Sequence, residues 1–289
     1  MSTAGAASVS QGGPKAKHPP YARALVFGGN AKAPPWYGAS QVSDLHARGS
    51  ASQIEGRQEL NSLFQASPLP VDDLLVNLPL YMRSSTVAKL LWIDEVYRLI
   101  IDTPGIVVEF GTWWGANLAL LESLRAVYEP YNYTRRIVGF DTFEGYTKPT
   151  AQDGETEFVS EGRFAVGMSY LDHLQALLDY HEAENPMGHI RKYELVAGDV
   201  SATLPQFLEG RQETVIALAY FDLQLYEPTR DCLTAIQPFL VPGSVIAMDE
   251  LNAVEYPGET VAFREVLHDS AYTLRRSRYL PDRSYAIVG

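Results

Sequence analysis

Apolar and polar residues follow two different periods from about residue 71 to the end of the chain. Short apolar runs predict buried strands, and the longer amphipathic segments between them predict helices. The predicted strands span residues 106–110, 137–141, 194–197, 215–221, 245–248, 272–276 and 285–288. The predicted helices span residues 85–101, 116–127, 170–184, 202–208, 228–239 and 259–267.

The order of these elements predicts the fold class. Helices separate the first five strands, which requires right-handed parallel crossovers and therefore a doubly wound α/β sheet. The last two strands are joined by a turn at Pro281 and Asp282. We therefore expect a Rossmann-like sheet of seven strands that ends in a C-terminal antiparallel hairpin.

Residues 1–70 differ in composition from the rest of the chain. Clusters of glycine and proline at residues 11–14, 18–20 and 32–35 resist regular structure. We expect this segment to be an extended or partly disordered N-terminal arm. Residues 71–289 then form one α/β domain with a helical lead-in, and this length is sufficient for a full core.

Charge and composition exclude several classes of protein. The net charge of −12 argues against a nucleic-acid partner, because phosphate backbones are bound by clustered lysine and arginine. The sequence has no apolar run long enough to cross a bilayer and no signal peptide, so we expect no membrane partner and a cytoplasmic location. The single cysteine, Cys232, excludes an intrachain disulfide and a cysteine-based zinc site.

The first predicted strand ends in the sequence VVEFGTWWG, residues 107–115. In open α/β sheets, ligands bind at the carboxyl ends of the strands, and glycines allow the backbone to approach a ligand closely. The acid Glu109 suits a positively charged cofactor. The spacing E-x-G-x-x-x-G differs from the G-x-G-x-x-G of dinucleotide sites, so it favours S-adenosylmethionine (SAM) over NAD. The alternative is a tight turn that serves packing alone.

The next two strands also end in acids. Asp141 is placed to accept hydrogen bonds from a ribose hydroxyl pair, although aspartate is also common in turns. Asp199 follows the third strand and is placed near an adenine amino group. The alternative for Asp199 is a helix cap, for which Ser201 competes.

Three more acids follow the fourth and fifth strands. Asp222, Asp249 and Glu250 are expected to converge, because adjacent parallel strands bring their carboxyl ends together. Crowded carboxylates repel one another unless a cation neutralises them, and oxygen ligands select a hard cation such as Mg²⁺. The alternative is that some of these acids cap the following helices.

Five segments in order resemble the macrocin O-methyltransferase family, whose members methylate deoxysugars of natural products. They are residues 107–115, 139–145, 221–229, 248–252 and 255–263, and the likeness extends from about residue 78 to residue 288. The resemblance implies a class I methyltransferase that uses SAM and Mg²⁺, acts on a small glycosylated or sugar substrate, and forms a homo-oligomer. It implies that Glu109, Gly111 and Asp141 surround SAM, and that Asp222, Asp249 and Glu250 hold Mg²⁺. The loops after the first three strands contain the further candidate cofactor-binding residues Thr112, Trp113, Gly115, Thr142, Phe143 and Asp199.

One departure from the family concerns the catalytic base. The family often has a second aspartate where this chain has Gln224, which does not accept a proton at neutral pH. The candidate catalytic residues are therefore Asp222, Gln224 as an orienting group, and Glu255, with a metal-bound hydroxide as another base. Methylation of an amino-sugar nitrogen and a non-catalytic SAM-binding protein stay open as alternatives, and a NAD-dependent oxidoreductase is disfavoured.

Overall fold

The sheet of this protein has seven strands in the order β3-β2-β1-β4-β5-β7-β6. The structure is a computed structural model that describes residues 50–154 and 159–289. The strands are β1 Ile106–Phe110, β2 Ile137–Asp141, β3 Tyr193–Ala197, β4 Ile216–Phe221, β5 Leu240–Met248, β6 Tyr272–Arg276 and β7 Ser284–Val288. The predicted doubly wound sheet with its C-terminal hairpin is confirmed.

Helices fill the connections between the strands. They are α1 Ala51–Gln65, α2 Val71–Val76, α3 Ser84–Leu99, α4 Ala116–Tyr128, α5 Leu171–Glu184, α6 Val200–Glu209, α7 Tyr226–Ile236 and α8 Pro257–Leu267. Short 3₁₀ turns occur at Leu78–Tyr81, Ala151–Asp153, Met168–Tyr170 and Gln237–Phe239. Within the described ranges, none of the helices combines the length and apolar character that a membrane span requires.

The strand register brings the ends of four parallel strands to one level. Phe110 at the end of β1 pairs with Phe140 of β2 and Phe221 of β4, and Phe221 pairs with Met248 of β5. The chain runs outward from β1 to β2 and β3, then returns to place β4 on the other side of β1. The strand order therefore reverses between β1 and β4, where open sheets of this kind bind their ligands.

The core lies on both faces of the sheet. On one face, Phe110, Phe140 and Phe221 pack with apolar residues of α6, α7 and α8. On the other face, Val107, Leu218 and Tyr220 pack with residues of α3, α4 and α5. Strands β1, β2 and β4 and the second half of β5 are almost completely buried. This burial on both faces explains why these strands read as continuous apolar runs instead of alternating ones.

The prediction of an extended arm is wrong for the part that forms α1. Ser50 caps this helix in a capping box with Gln53, and the following residues are mostly good helix formers. The glycine and proline clusters that motivated the prediction lie before residue 36, outside the described residues. Phe64 of α1 packs edge-on against Tyr81, with ring centroids 5.1 Å apart.

Candidate active site

A cavity opens at the carboxyl ends of β1 to β5. Nine residues predicted from the sequence line it: Gly111, Trp113, Asp141, Thr142, Asp199, Asp222, Gln224, Asp249 and Glu250. Five others are not part of its lining: Glu109, Thr112, Gly115, Phe143 and Glu255. The predicted cofactor loops and the predicted acidic group therefore belong to one site.

The turn after β1 requires glycine at Gly111. Its φ is +88°, and an added Cβ would lie 2.1 Å from the carbonyl oxygen of Asp222. The loops that follow β1 and β4 are thus in direct backbone contact. Trp113 and Gln224 in these loops also have positive φ, of 49° and 59°. Such conformations cost about 1–3 kcal/mol for a residue with a side chain and occur most often at functional sites.

Glu109 lies behind this turn. Its Oε1 accepts a hydrogen bond of 2.7 Å from Asn117 Nδ2, while Oε2 is buried without a partner. Burial raises the pKa of Glu109 well above its usual range, and the hydrogen bond from Asn117 partly offsets this. The carboxyl group supports the turn from below, and its contact with a cofactor stays a prediction.

Asp141 and Asp199 organise the second and third loops. The Asp141 carboxylate accepts hydrogen bonds of 2.6 Å from the backbone N–H groups of Trp113 and Phe143, which ties the β1 and β2 loops together. Asp199 is the N-cap of α6 and accepts from Ser201 N at 3.0 Å. Both acids also face the cavity, so the turn and cap roles do not exclude ligand contact.

The acids after β4 and β5 are crowded and buried. Burial, followed by the charge of Asp249, raises the pKa of Asp222 to about 6 and that of Glu250 to about 9. Asp249 accepts a hydrogen bond from the Tyr220 hydroxyl and forms an ion pair with Arg283. An excess of negative charge therefore stands on this side of the cavity, and Arg283 neutralises part of it.

These acids do not form a metal-ligand set as they are arranged. Among the residues that the structure describes, no three His, Cys, Asp or Glu side chains are gathered into a group that holds a metal ion. Both carboxylate oxygens of Asp249 are already bonded, one to Tyr220 and one to Arg283. Coordination of a cation by Asp249 therefore requires Arg283 to leave it.

Gln224 connects two side chains at the place where the family often has an aspartate. Its Nε2 donates a hydrogen bond to Asp222, and its Oε1 accepts one of 2.8 Å from the Tyr146 hydroxyl. The amide therefore fixes the orientation of the Asp222 carboxylate. Glu255, the other proposed proton acceptor, does not line the cavity.

Glu259 is a functional residue that the sequence reasoning missed. It is fully buried in the first turn of α8. Its Oε1 accepts from the backbone N–H groups of Leu223 and Gln224, and its Oε2 accepts from that of Glu250. One carboxylate thus holds both loops that carry the acids. The sequence does contain one signal for such a role, which is an acid at the start of a helix directly after Pro257 and Gly258.

Two cations of the cavity were also missed. Lys89 extends from α3, and Arg283 stands directly before β7. Arg283 is detectable in principle, because its neighbour Ser284 pairs with Met248, the residue before Asp249. Lys89 comes from a helix before the first strand, and no sequence motif connects it to the strand ends.

Comparisons with known proteins agree with this geometry. The sequence profile of a family described as a methyltransferase domain matches residues 108–251. CalS11, a calicheamicin methyltransferase, is 42% identical over 87% of this chain and 98% of its own, with a TM-score of 0.80. This chain belongs to the family of SAM-dependent O-methyltransferases that includes CalS11. The predicted family and class of enzyme are confirmed.

Two further structures place this O-methyltransferase among its relatives. The apo structure of CalS11, described there as a TDP-rhamnose 3′-O-methyltransferase of calicheamicin biosynthesis, is 41% identical over 83% of this chain and 96% of its own, with a TM-score of 0.73. The O-methyltransferase NovP is 20% identical over 70% of this chain and 80% of its own, with a TM-score of 0.53, and shares the fold. No protein with curated function gives a significant match.

Proposed function

We propose that this enzyme transfers the methyl group of SAM to a hydroxyl group of a deoxysugar. The observation that carries the proposal is the 42% identity to CalS11 over nearly the whole of that protein. Because CalS11 is described as acting on TDP-rhamnose, a nucleotide-linked 6-deoxysugar is the acceptor to test first.

The donor occupies the part of the cavity at β1, β2 and β3 in this proposal. Asp141 faces the ribose, and Asp199 faces the adenine. Gly111 lines the cavity between the loops after β1 and β4, and the methionyl chain lies along its backbone in this proposal. An acidic cavity suits SAM, whose sulfonium and ammonium groups are both positive.

The acceptor occupies the part of the cavity at β4 and β5. Its hydroxyl oxygen attacks the methyl carbon, the bond between this carbon and sulfur breaks, and S-adenosylhomocysteine (SAH) remains. The hydroxyl proton passes to Asp222, which lines the cavity and is oriented by Gln224. The rings of Tyr146 and Tyr256 line the same region and suit the apolar face of a sugar.

The predicted Mg²⁺ is not part of this mechanism, because Asp249 is paired with Arg283. It stays a prediction, for which electron paramagnetic resonance of added Mn²⁺ is the direct test. Binding by the wild-type enzyme that is lost in Asp222→Asn supports the predicted site. If Mn²⁺ does not bind to the wild-type enzyme, Arg283 is the cation that neutralises Asp222, Asp249 and Glu250.

Methyl transfer to a panel of acceptors tests the proposed function. The panel contains TDP-rhamnose, a rhamnosylated natural product and an amino sugar, and products are identified by mass spectrometry and NMR. We expect one O-methyl group on the deoxysugar and a loss of kcat of about 10²–10⁴-fold in Asp222→Asn, with SAH affinity retained. Methylation of nitrogen alone contradicts O-methylation, and binding of SAM without any transfer indicates a non-catalytic protein.

A further inference from the structure

Lys89 reaches the cavity from the buried face of α3. Trp92 and Ile93 on the same helix are fully buried against the sheet. Residues three and four positions apart share one face of a helix, so Lys89 stands one turn before them on that face. Its side chain is half-buried and lines the cavity together with Gly111 and Asp222. A lysine in such a position can cover apolar surface with its aliphatic stem and keep its ammonium group in a polar space.

The charge of Lys89 acts between β1 and β4. Its positive charge offsets part of the rise that burial causes in the pKa of Glu109 in β1 and of Asp222 after β4. The ammonium group therefore stands near the point where strand order reverses. This is the region that the proposed function assigns to the methionyl chain, because the sulfonium must face an acceptor at β4.

Lys89 differs from the other cation of the cavity. Arg283 is committed to Asp249 and Asp282. Lys89 forms no ion pair with any residue in the described ranges, although five acids line the same cavity: Asp141, Asp199, Asp222, Asp249 and Glu250. An ammonium group held in an acidic cavity without a fixed partner is available to a ligand anion.

We propose that Lys89 binds the α-carboxylate of SAM. This inference rests on the proposed function and adds a donor-binding residue to it. SAM carries a single carboxylate, which the ionised acids of the cavity repel. A cation that faces the methionyl region compensates this repulsion and fixes the end of the chain, so the methyl group is held toward the acceptor.

Calorimetry with two donors tests the assignment. Decarboxylated SAM keeps the sulfonium, amine and adenosine and lacks only the carboxylate. We expect the wild-type enzyme to bind SAM more tightly than decarboxylated SAM by about 10- to 100-fold, the range for a hydrogen bond between charged groups. In Lys89→Met, SAM affinity falls by this factor, decarboxylated SAM binds as before, and the preference disappears.

Controls separate this role from others. Arg98→Met removes a positive charge from an exposed position of the same helix and should leave both affinities unchanged. Lys89→Arg keeps the positive charge and should therefore retain a preference for SAM. This variant also tests the assignment if Lys89→Met folds poorly. Equal weakening of both donors in Lys89→Met overturns the assignment, and so does an unchanged SAM affinity with a raised KM for the sugar. A wild-type enzyme that binds neither donor refutes the proposed function itself.

Discussion

At the scale of single residues, Glu259 links the two loops that carry the acids of the site. Its carboxylate accepts backbone hydrogen bonds from three residues of two loops. In Glu259→Gln, an amide N–H faces one of these backbone donors, which leaves a buried donor without an acceptor. We expect a loss of about 1–3 kcal/mol in the free energy of unfolding, measured by urea denaturation.

The same substitution should also lower activity, because Gln224 and Glu250 lose their support. Glu213→Gln at an exposed position is the matched control and should change neither quantity. If Glu259→Gln unfolds at the wild-type urea concentration with wild-type kcat, Glu259 does not hold the two loops.

The sequence predicted the acids at the strand ends that line the cavity better than the residues that hold or neutralise these acids. Asp141, Asp222 and Asp249 were found because an acid directly after an apolar run is visible along the chain. Lys89, Arg283 and Glu259 were not found, because their roles depend on packing between elements distant in sequence. Asp249 illustrates the limit, since its pairing with Arg283 joins residues 34 positions apart.

At the scale of elements, the contact between α4 and α5 contains a buried carboxyl group. Glu122 of α4 is fully buried, and neither carboxyl oxygen has a hydrogen-bond partner. Arg125, Asp179, Glu182 and Lys192 surround it, and Arg125 and Lys192 are both paired with Glu182. Burial raises the pKa of Glu122 from 4.5 to about 8.

This raised pKa predicts a loss of stability with rising pH. Between the unfolded value of 4.5 and the folded value of about 8, the folded protein holds a proton that the unfolded chain has released, so the free energy of unfolding falls as pH rises. Glu122→Gln is neutral throughout and lacks this contribution. Its stability relative to wild type should therefore increase from about pH 5 to about pH 9, as measured by urea denaturation. If wild type and Glu122→Gln differ by the same free energy of unfolding at both pH values, Glu122 does not keep its proton in the folded protein.

The positions of several strands followed closely from the sequence, both for the buried strand β1 and for the largely exposed strand β6. The predicted bounds of β1, β2 and β6 agree with the structure at both ends. The start of β5 was missed, because residues 240–244 include Pro242 and Gly243, which are poor strand formers, and the pairing with β4 is irregular there. Helix α1 was missed because residues 1–70 were judged by their overall composition, although Ser50 is a favourable residue for a helix start.

At the scale of the whole molecule, an apolar surface predicts self-association. Val71, Leu75, Val76 and Leu80, in and directly after α2, each expose more than half of their surface. Exposed apolar side chains that are concentrated in one segment are typical of interfaces, and a second copy of the chain is the partner that the family resemblance implies. We expect light scattering to give a multiple of the 32.0 kDa chain mass.

Substitution of two of these side chains provides the control. Val76→Asp combined with Leu80→Asp should shift the mass to that of one chain without lowering the melting temperature by more than a few degrees. A wild-type protein that is already a single chain refutes the predicted interface.

In the proposed enzyme, the donor lies over the ends of β1, β2 and β3, and the sugar lies at the ends of β4 and β5. A crystal structure of the enzyme with SAH and TDP-rhamnose tests this arrangement most directly. We predict adenosine between Asp141 and Asp199, and the SAH sulfur facing a sugar hydroxyl that stands beside Asp222. SAH bound outside this cavity, or a sugar whose hydroxyl groups all point away from the sulfur, contradicts the account.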